Sequence, residues 1–194
     1  MALWEVKKEF LSEELGGGKS KIETSGAYEV VIGDVYLRDS GTTQAQAIVV
    51  EFESGDNYGR VNFWFKKGDG TPNQYAARIL TRFTFLCKLK EDSITLEERP
   101  VKDFKGNEFG RTFLPEFKGK KIGVMLRARE DGDRINLDAQ DFYDLKTKKT
   151  TDEIKDNKAA TALDKFIKKC SKEEGQVKEK KVEEKTINDD DFPF

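Results

Sequence analysis

The chain has 194 residues, 36% of them hydrophobic and 37% charged, and its formal net charge is −2. Globular domains average roughly 45–50% apolar and about 25% charged residues, so we expect one ordinary domain with a polar appendage. No run of about 18 apolar residues occurs, which excludes a transmembrane helix. No basic segment followed by an apolar stretch opens the chain, so we expect no export by a signal peptide and a cytoplasmic protein.

The residue types that usually carry catalysis or bind metals are scarce. The chain has no His and only two Cys, at positions 87 and 170, so zinc-site spacings are absent. Both cysteines fall on apolar stripes of predicted helices, and we expect them to be buried and reduced. The run Gly16–Ser20 ("GGGKS") lacks the earlier Gly of a phosphate loop, and no strand precedes it. We therefore expect no enzyme activity, no metal and no cofactor.

The charges are unevenly distributed along the chain. Residues 1–59 contain five basic and eleven acidic groups, a net of −6, whereas residues 60–129 contain sixteen basic and eight acidic groups, a net of +8. A locally basic core inside an acidic protein is typical of a protein that binds a polyanion.

The first half of the chain predicts three strands and a helix. The β-rich runs are Tyr28–Arg38, Gln46–Glu53 and Tyr58–Lys66, and turn compositions separate them. Gly33 predicts a bulge or a sharp coil in the first run. Apolar residues then recur at helical spacing from Ala76 to Cys87. We expect Thr71 as the N-cap of this helix, Pro72 at its first position and Gln74 closing a capping box.

The second half predicts further strands and a last helix. Ser93–Arg99 is a predicted strand, Arg99–Lys118 a long projecting hairpin, and Lys121–Ala128 with Arg134–Tyr143 a second hairpin around a tight turn at residues 130–133. A helix is predicted over Asp152–Lys172, with Leu163, Phe166, Ile167 and Cys170 on one stripe. The apolar surface of this one helix is too small to form a hydrophobic core, so we expect the helix to pack on the main domain or on a second subunit.

Three strands, a helix and then more strands is the element order of the OB-fold, a five-stranded Greek-key barrel. The predicted fold is therefore mainly β: an OB-fold with one helix after strand 3, an extra projecting hairpin, a C-terminal helix and a disordered acidic tail. The predicted divisions are an OB domain over residues 1–150, the helix over 151–174, and a linker with an acidic tip over 175–194.

The third strand carries the strongest functional signal. Alternation places Val61, Phe63 and Phe65 on one face, which predicts the core side. The other face combines aromatic, cationic and amide side chains, as single-stranded nucleic acid needs for stacking of bases and neutralisation of phosphates. In an OB-fold the second and third strands form the usual oligonucleotide face. An ordinary solvated face with a half-buried Trp is the alternative.

We expect the binding surface to draw on this strand, on the projecting hairpin and on the outward face of the next strand. The phenylalanines of the hairpin are equally compatible with local packing. The residues predicted to bind single-stranded DNA are Tyr58, Arg60, Asn62, Trp64, Lys66, Lys67, Lys102, Phe104, Lys105, Phe109, Arg111, Lys121, Met125, Arg127 and Arg129.

The chain ends in Asp189-Asp190-Asp191-Phe192-Pro193-Phe194. This ending resembles that of bacterial single-stranded DNA-binding proteins (SSB), which finish in Asp-Asp-Asp-Ile-Pro-Phe. The body departs from bacterial SSB, and its Lys/Glu-rich linker makes the whole look more like phage-encoded single-stranded DNA-binding proteins. The departure leaves open whether the protein is a monomer or a dimer, in place of the tetramer of bacterial SSB.

The resemblance implies a non-enzymatic protein that coats single-stranded DNA with little sequence preference. It also implies a role in DNA replication, recombination and repair inside a bacterial host cell, with residues 189–194 recruiting host or phage partner proteins. An RNA-binding or strand-annealing OB protein is the alternative. A purely protein-binding adaptor would leave the aromatic and basic face of Tyr58–Lys66 unexplained.

Overall fold

The computed structural model describes residues 19–102 and 105–173, and they form a mainly β structure. The strands are β1 (Ser20–Lys21), β2 (Gly26–Asp39), β3 (Gln46–Ser54), β4 (Asn57–Lys66), β5 (Glu97–Lys102), β6 (Glu108–Phe113), β7 (Lys121–Asp131) and β8 (Arg134–Tyr143). The helices are α1 (Gln74–Leu86), α2 (Thr151–Lys155) and α3 (residues 162–173). Within the described residues, no helix is long and apolar enough to cross a membrane.

Strand β2 organises the sheet, because it has different partners along its two halves. It pairs antiparallel with β3 at one edge, while its other edge pairs first with β7 and then with β6. The β2–β3 register shifts between Ile32 and Val35, which confirms the bulge expected at Gly33. A Cβ at Gly33 would lie 3.3 Å from the Glu51 carbonyl oxygen, so a bare backbone suits the close approach.

The sheet curls around one apolar core, and α1 covers its open side. Phe83 of α1 is fully buried, stacks on Phe117 at 4.7 Å between ring centroids and lies 5.1 Å from Phe142 of β8. Phe63 of β4 in turn lies 6.1 Å from Phe142. The core therefore brings β4 and β8 side by side, although they are not paired. The paired strands run in the order β1-β4-β3-β2-β6-β5, with β7 paired to β2 and β8 paired to β7.

Helix α1 lies after the third predicted strand, as expected, but it begins later than predicted. The N-cap is Asn73, whose side-chain oxygen accepts hydrogen bonds from the backbone N–H groups of Tyr75 (3.1 Å) and Ala76 (3.4 Å). The Thr71 hydroxyl instead donates to Asp69 at 2.7 Å. Asn is at least as good an N-cap as Thr. The prediction of Thr71 as the N-cap, Pro72 as the first helical residue and Gln74 as the end of a capping box was therefore wrong, and Gln74 is the first residue of the helix.

The projecting hairpin is present as β5 and β6, which pair antiparallel from Glu97–Phe113 to Lys102–Glu108. Its first strand begins at Glu97, and a 3-10 turn occupies Glu91–Ser93, so the predicted strand start at Ser93 was too early. At its base, Phe113 joins Tyr36 and Val49 in a second small apolar cluster. The hairpin is thus anchored on the outer face of β2 and β3.

The predicted single helix over Asp152–Lys172 is instead two helices, α2 and α3. Glu153 holds the break together: one carboxylate oxygen accepts from the Thr150 backbone N–H at 3.0 Å, and the other accepts from Thr161 (2.6 Å) and Ala162 (2.8 Å). Burial opposes ionisation of Glu153, but these backbone hydrogen bonds outweigh it and lower its pKa to about 2. One carboxylate therefore caps two helices.

Helix α3 packs against the sheet, which is one of the two arrangements expected for the last helix. Cys170 is buried, and Glu173 accepts a hydrogen bond from the Arg127 guanidinium of β7 at 3.0 Å. Ile167 of the predicted apolar stripe remains exposed. Cys87 is also buried, and burial raises the pKa of its thiol to about 12; both cysteines are free, as expected.

Candidate nucleic-acid interface

The outer face of β4 has the alternation that the sequence predicted. Val61 and Phe63 point into the core and are buried, whereas Tyr58 is 46% exposed and Trp64 is 37% exposed. Arg60 and Asn62 between them are exposed as well. Lys66, at the end of the strand, is half-buried, and Lys67 beyond it is exposed. An aromatic, a cation, an amide and a second aromatic therefore follow one another on a solvent-facing strand.

A groove on one side of this face connects β4 to β2 and to the projecting hairpin; we call it the arginine groove. Its volume is about 690 Å³. Its cationic and aromatic lining consists of Tyr36, Arg38, Arg60, Phe109 and Arg111. The Arg111 guanidinium lies 4.3 Å from the ring centroid of Tyr36 and 5.1 Å from that of Phe109. These cation–π contacts hold the arginine between two rings at the surface.

A smaller cleft lies at the other end of the β4 face, and we call it the tryptophan cleft. It has a volume of about 270 Å³ between β4, the start of α1 and the β7–β8 hairpin. Its polar and aromatic lining consists of Asn62, Trp64, Asn73, Tyr75, Arg129, Asp138 and Gln140. Arg129 reaches it while paired to Asp138 at 2.7 Å. Tyr75 is more exposed than Trp64, so both rings are open to a ligand.

A third cleft, next to the arginine groove, has a mixed charge. It has a volume of about 700 Å³ and shares Arg60 with the arginine groove. Tyr58 lines it together with lysines and carboxylates, and two of the lysines are already paired, Lys19 with Glu53 and Lys118 with Asp34. Exposed ion pairs of this kind are weak, so each lysine can exchange its carboxylate partner for another anion. Arg60 thus lies where the two clefts meet.

One tyrosine couples the arginine groove to an acid. The hydroxyl of Tyr36 donates a hydrogen bond to the Glu51 carboxylate at 3.0 Å. Burial raises the pKa of Tyr36 and the Glu51 charge raises it further, whereas Arg111 acts in the opposite direction. The hydroxyl is therefore protonated at neutral pH and acts as a hydrogen-bond donor in the groove.

The structure brings most of the sequence-predicted residues of β4 and the hairpin onto one surface. Tyr58, Arg60, Asn62 and Trp64 share the β4 face, Phe109 and Arg111 border it on one side, and Arg129 borders it on the other. Lys102 and Lys105 lie farther out on the hairpin, where Lys102 pairs with Glu108 at 3.3 Å. Phe104 lies outside the described residues, as do Asp189–Phe194 and the tail predicted to be disordered.

Three predicted residues of β7 lie away from this surface. Met125 was predicted to face outward, but it is only 3% exposed, and that prediction was wrong. The β7–β8 register shifts between Met125 and Leu126, so both are buried, and α3 docks beside them through Arg127. Lys121 is exposed at the opposite end of β7, opposite Val31 of β2. Neither Lys121 nor Arg127 lines the arginine groove or the tryptophan cleft.

The sequence analysis did not identify several residues of the surface, among them Tyr36, Arg38, Asn73 and Tyr75. Tyr36 and Arg38 lie on β2, which the sequence predicted as a strand without assigning side chains of it to the binding surface. The alternation of Val35 and Leu37 with Tyr36 and Arg38 was the available signal, since period two places the latter pair on the outer face. Asn73 and Tyr75 of the tryptophan cleft follow from the true start of α1.

The surface offers binding chemistry. Its side chains supply guanidinium groups, ring faces, amides and a tyrosine hydroxyl, which suit an anionic and aromatic ligand. Within the described residues, no group of three or more His, Cys, Asp or Glu side chains could hold a metal ion. A search against protein-family models and a search of curated proteins each found no match to this chain.

Proposed function

We propose that the protein binds single-stranded DNA, with little sequence preference and without catalysis, along the outer face of β3 and β4. The observation that carries the proposal is the continuous placement of Arg111, Arg60 and Arg129 among the exposed rings of Phe109, Tyr58 and Trp64. Every base offers a ring face for stacking and every nucleotide a phosphate for an arginine. Such a surface discriminates weakly between bases.

The proposal includes an OB-fold. Its five strands would be β2, β3, β4, β7 and β8, with α1 between the third and the fourth. The pairing of β2 with both β3 and β7, and of β7 with β8, supports this assignment. The β5–β6 hairpin would be an insertion before the fourth strand. On this assignment β3 and β4 are the second and third strands, which form the customary oligonucleotide face of the fold.

The cellular role is part of the same proposal. A protein that coats single strands would act in replication, recombination and repair in the cytoplasm of a bacterial host cell, as the resemblance to phage-type proteins implies. The acidic and aromatic residues Asp189–Phe194 would recruit the partner proteins of these processes. Three carboxylates favour approach to a basic groove, and Phe194 offers an apolar anchor of roughly 1.5–3 kcal/mol when fully buried.

A fluorescence titration tests the proposal. The chain has two tryptophans, Trp4 and Trp64, so a Trp4→Phe background leaves Trp64 as the only reporter. We expect poly-dT to quench it saturably, with an affinity that falls steeply as salt rises. Poly-rU should bind more weakly, and duplex DNA should not quench, because its ring faces are stacked. Tighter binding to poly-rU would favour an RNA-binding protein, and preference for duplex would refute the proposal.

A further inference from the structure

Glu51 is an acidic residue within a surface whose arginines and exposed rings suit a polyanion. It lies on β3 directly opposite Arg60 of β4, so both side chains leave the sheet on its outer face. Its carboxylate accepts the Tyr36 hydroxyl at 3.0 Å, and Tyr36 is 5% exposed beneath Arg111. Glu51 therefore lies opposite Arg60, which the third cleft shares with the arginine groove, and it holds the hydroxyl of the tyrosine that Arg111 covers.

The two other acids that line the third cleft differ from Glu51 in one respect. Glu53 and Asp34 line the same cleft, and each is neutralised by a lysine. Within residues 19–102 and 105–173, no lysine or arginine forms an ion pair with Glu51, and its hydrogen-bond donor is the neutral Tyr36 hydroxyl. A carboxylate held by this one hydrogen bond can be replaced by another anion that brings its own contacts to the arginines.

We propose that Tyr36, Arg60 and Arg111 form a binding site for one backbone phosphate of the nucleic acid, and that Glu51 occupies this site as a resident anion in the free protein. On binding, a phosphate oxygen takes over the Tyr36 hydroxyl and the Glu51 side chain moves away from it. No bond other than hydrogen bonds is made or broken. The inference rests on the proposed function, since it names one phosphate position within the same surface.

The resident anion lowers the affinity of the surface for DNA. It cancels part of the field of Arg60 and Arg111 before binding, and it remains close to the phosphate afterwards, where like charges repel. The Glu51 carboxylate and the phosphate beside it together retain a solvent cation, so fewer counterions are released when DNA binds. Glu51 should therefore weaken binding most at low salt and make the salt dependence shallower.

Glu51→Gln is the direct test, because the amide oxygen still accepts the Tyr36 hydroxyl while the charge is lost. We expect oligo-dT to bind this variant roughly five to ten times more tightly at low salt, with a log–log salt slope steeper by about 0.7. Glu91→Gln is the matched control: Glu91 is exposed in the turn after α1 and lines neither cleft. It should change the affinity less than twofold.

The outcomes separate this inference from the proposed function. Failure of the wild-type protein to bind oligo-dT would refute the proposed function. Wild-type binding with an unchanged or weaker Glu51→Gln variant, or an equal gain in Glu91→Gln, would refute the phosphate site alone. The gain should also fall by at least half in an Arg111→Ala background, and full retention there would contradict a shared site.

Tyr36→Phe gives an independent second test that preserves the packed ring. Removing the hydroxyl takes one hydrogen bond from the phosphate, so we expect binding of oligo-dT about threefold weaker or more. If the hydroxyl served only to hold Glu51, this variant would bind DNA as tightly as the wild type. That result would overturn the inference.

Discussion

Replacing Trp64 with Ala should lower the affinity for DNA while the protein remains folded. Trp64 is 37% exposed and lies opposite Ala47 of β3, which is fully buried. Full burial of a large apolar side chain is worth roughly 1.5–3 kcal/mol, so the two-thirds of the ring that is covered contributes about 1–2 kcal/mol. The variant should therefore be less stable and remain folded. One lost stack of about 1–3 kcal/mol should weaken oligo-dT binding roughly 5- to 150-fold.

Anisotropy of a dye-labelled oligo-dT measures the affinity, since Trp64→Ala removes the intrinsic reporter, and urea unfolding measures stability. Trp64→Phe keeps a ring and should retain most of the affinity. Phe85→Ala removes a 51% exposed ring at the far end of α1 and should leave DNA binding unchanged. The reasoning is refuted if Trp64→Ala binds as well as the wild type, or if Phe85→Ala loses as much affinity.

Arg60→Ala should weaken DNA binding equally for all sequences and flatten the salt dependence of the affinity by about 0.7 in the log–log slope. Lys121→Ala, which lies outside the groove and both clefts, should leave that slope unchanged. Identical slopes for the two variants would place the DNA elsewhere. The lowered pKa of Glu153, about 2, means that its carboxylate stabilises the fold above about pH 4.5 and that this contribution is lost as the pH falls toward 2. Glu153→Gln should thus lose about 2–3 kcal/mol in urea unfolding at pH 7 and much less at pH 3, and a pH-independent difference would contradict the capping role. Deletion of residues 189–194 should leave oligo-dT affinity intact or tighten it at low salt and abolish capture of replication proteins; loss of DNA binding with partners retained would make the tip part of the DNA site.

The features that the sequence predicted correctly depend on local patterns. Period two along Tyr58–Lys66 is enough to decide which side chains face the core, and β4 follows it residue by residue. The same holds for the turn at Gly132, whose φ of +59° suits glycine. Along β4 the strand and its one buried face are enough to set the alternation, so the local pattern predicted it.

The errors arose where a distant segment decides the environment. Met125 alternates like an outward residue, but the register shift in β7 leaves both Met125 and Leu126 buried. The break between α2 and α3 depends on Glu153 reaching Thr161 and Ala162, eight and nine residues ahead. Arg38 becomes part of the groove because the β5–β6 hairpin folds beside β2. Local propensity contains none of these contacts.

Photocross-linking tests most directly whether single-stranded DNA lies along the β4 face. An oligo-dT carrying 5-iododeoxyuridine would be bound to the full-length protein, irradiated, and mapped by mass spectrometry of the proteolysed adducts. We expect adducts at the exposed rings of Trp64, Tyr58 and Phe109, suppressed by excess unlabelled oligo-dT. Adducts confined to α3 or to the Lys121 end of β7, with none on β4, would contradict the proposed interface.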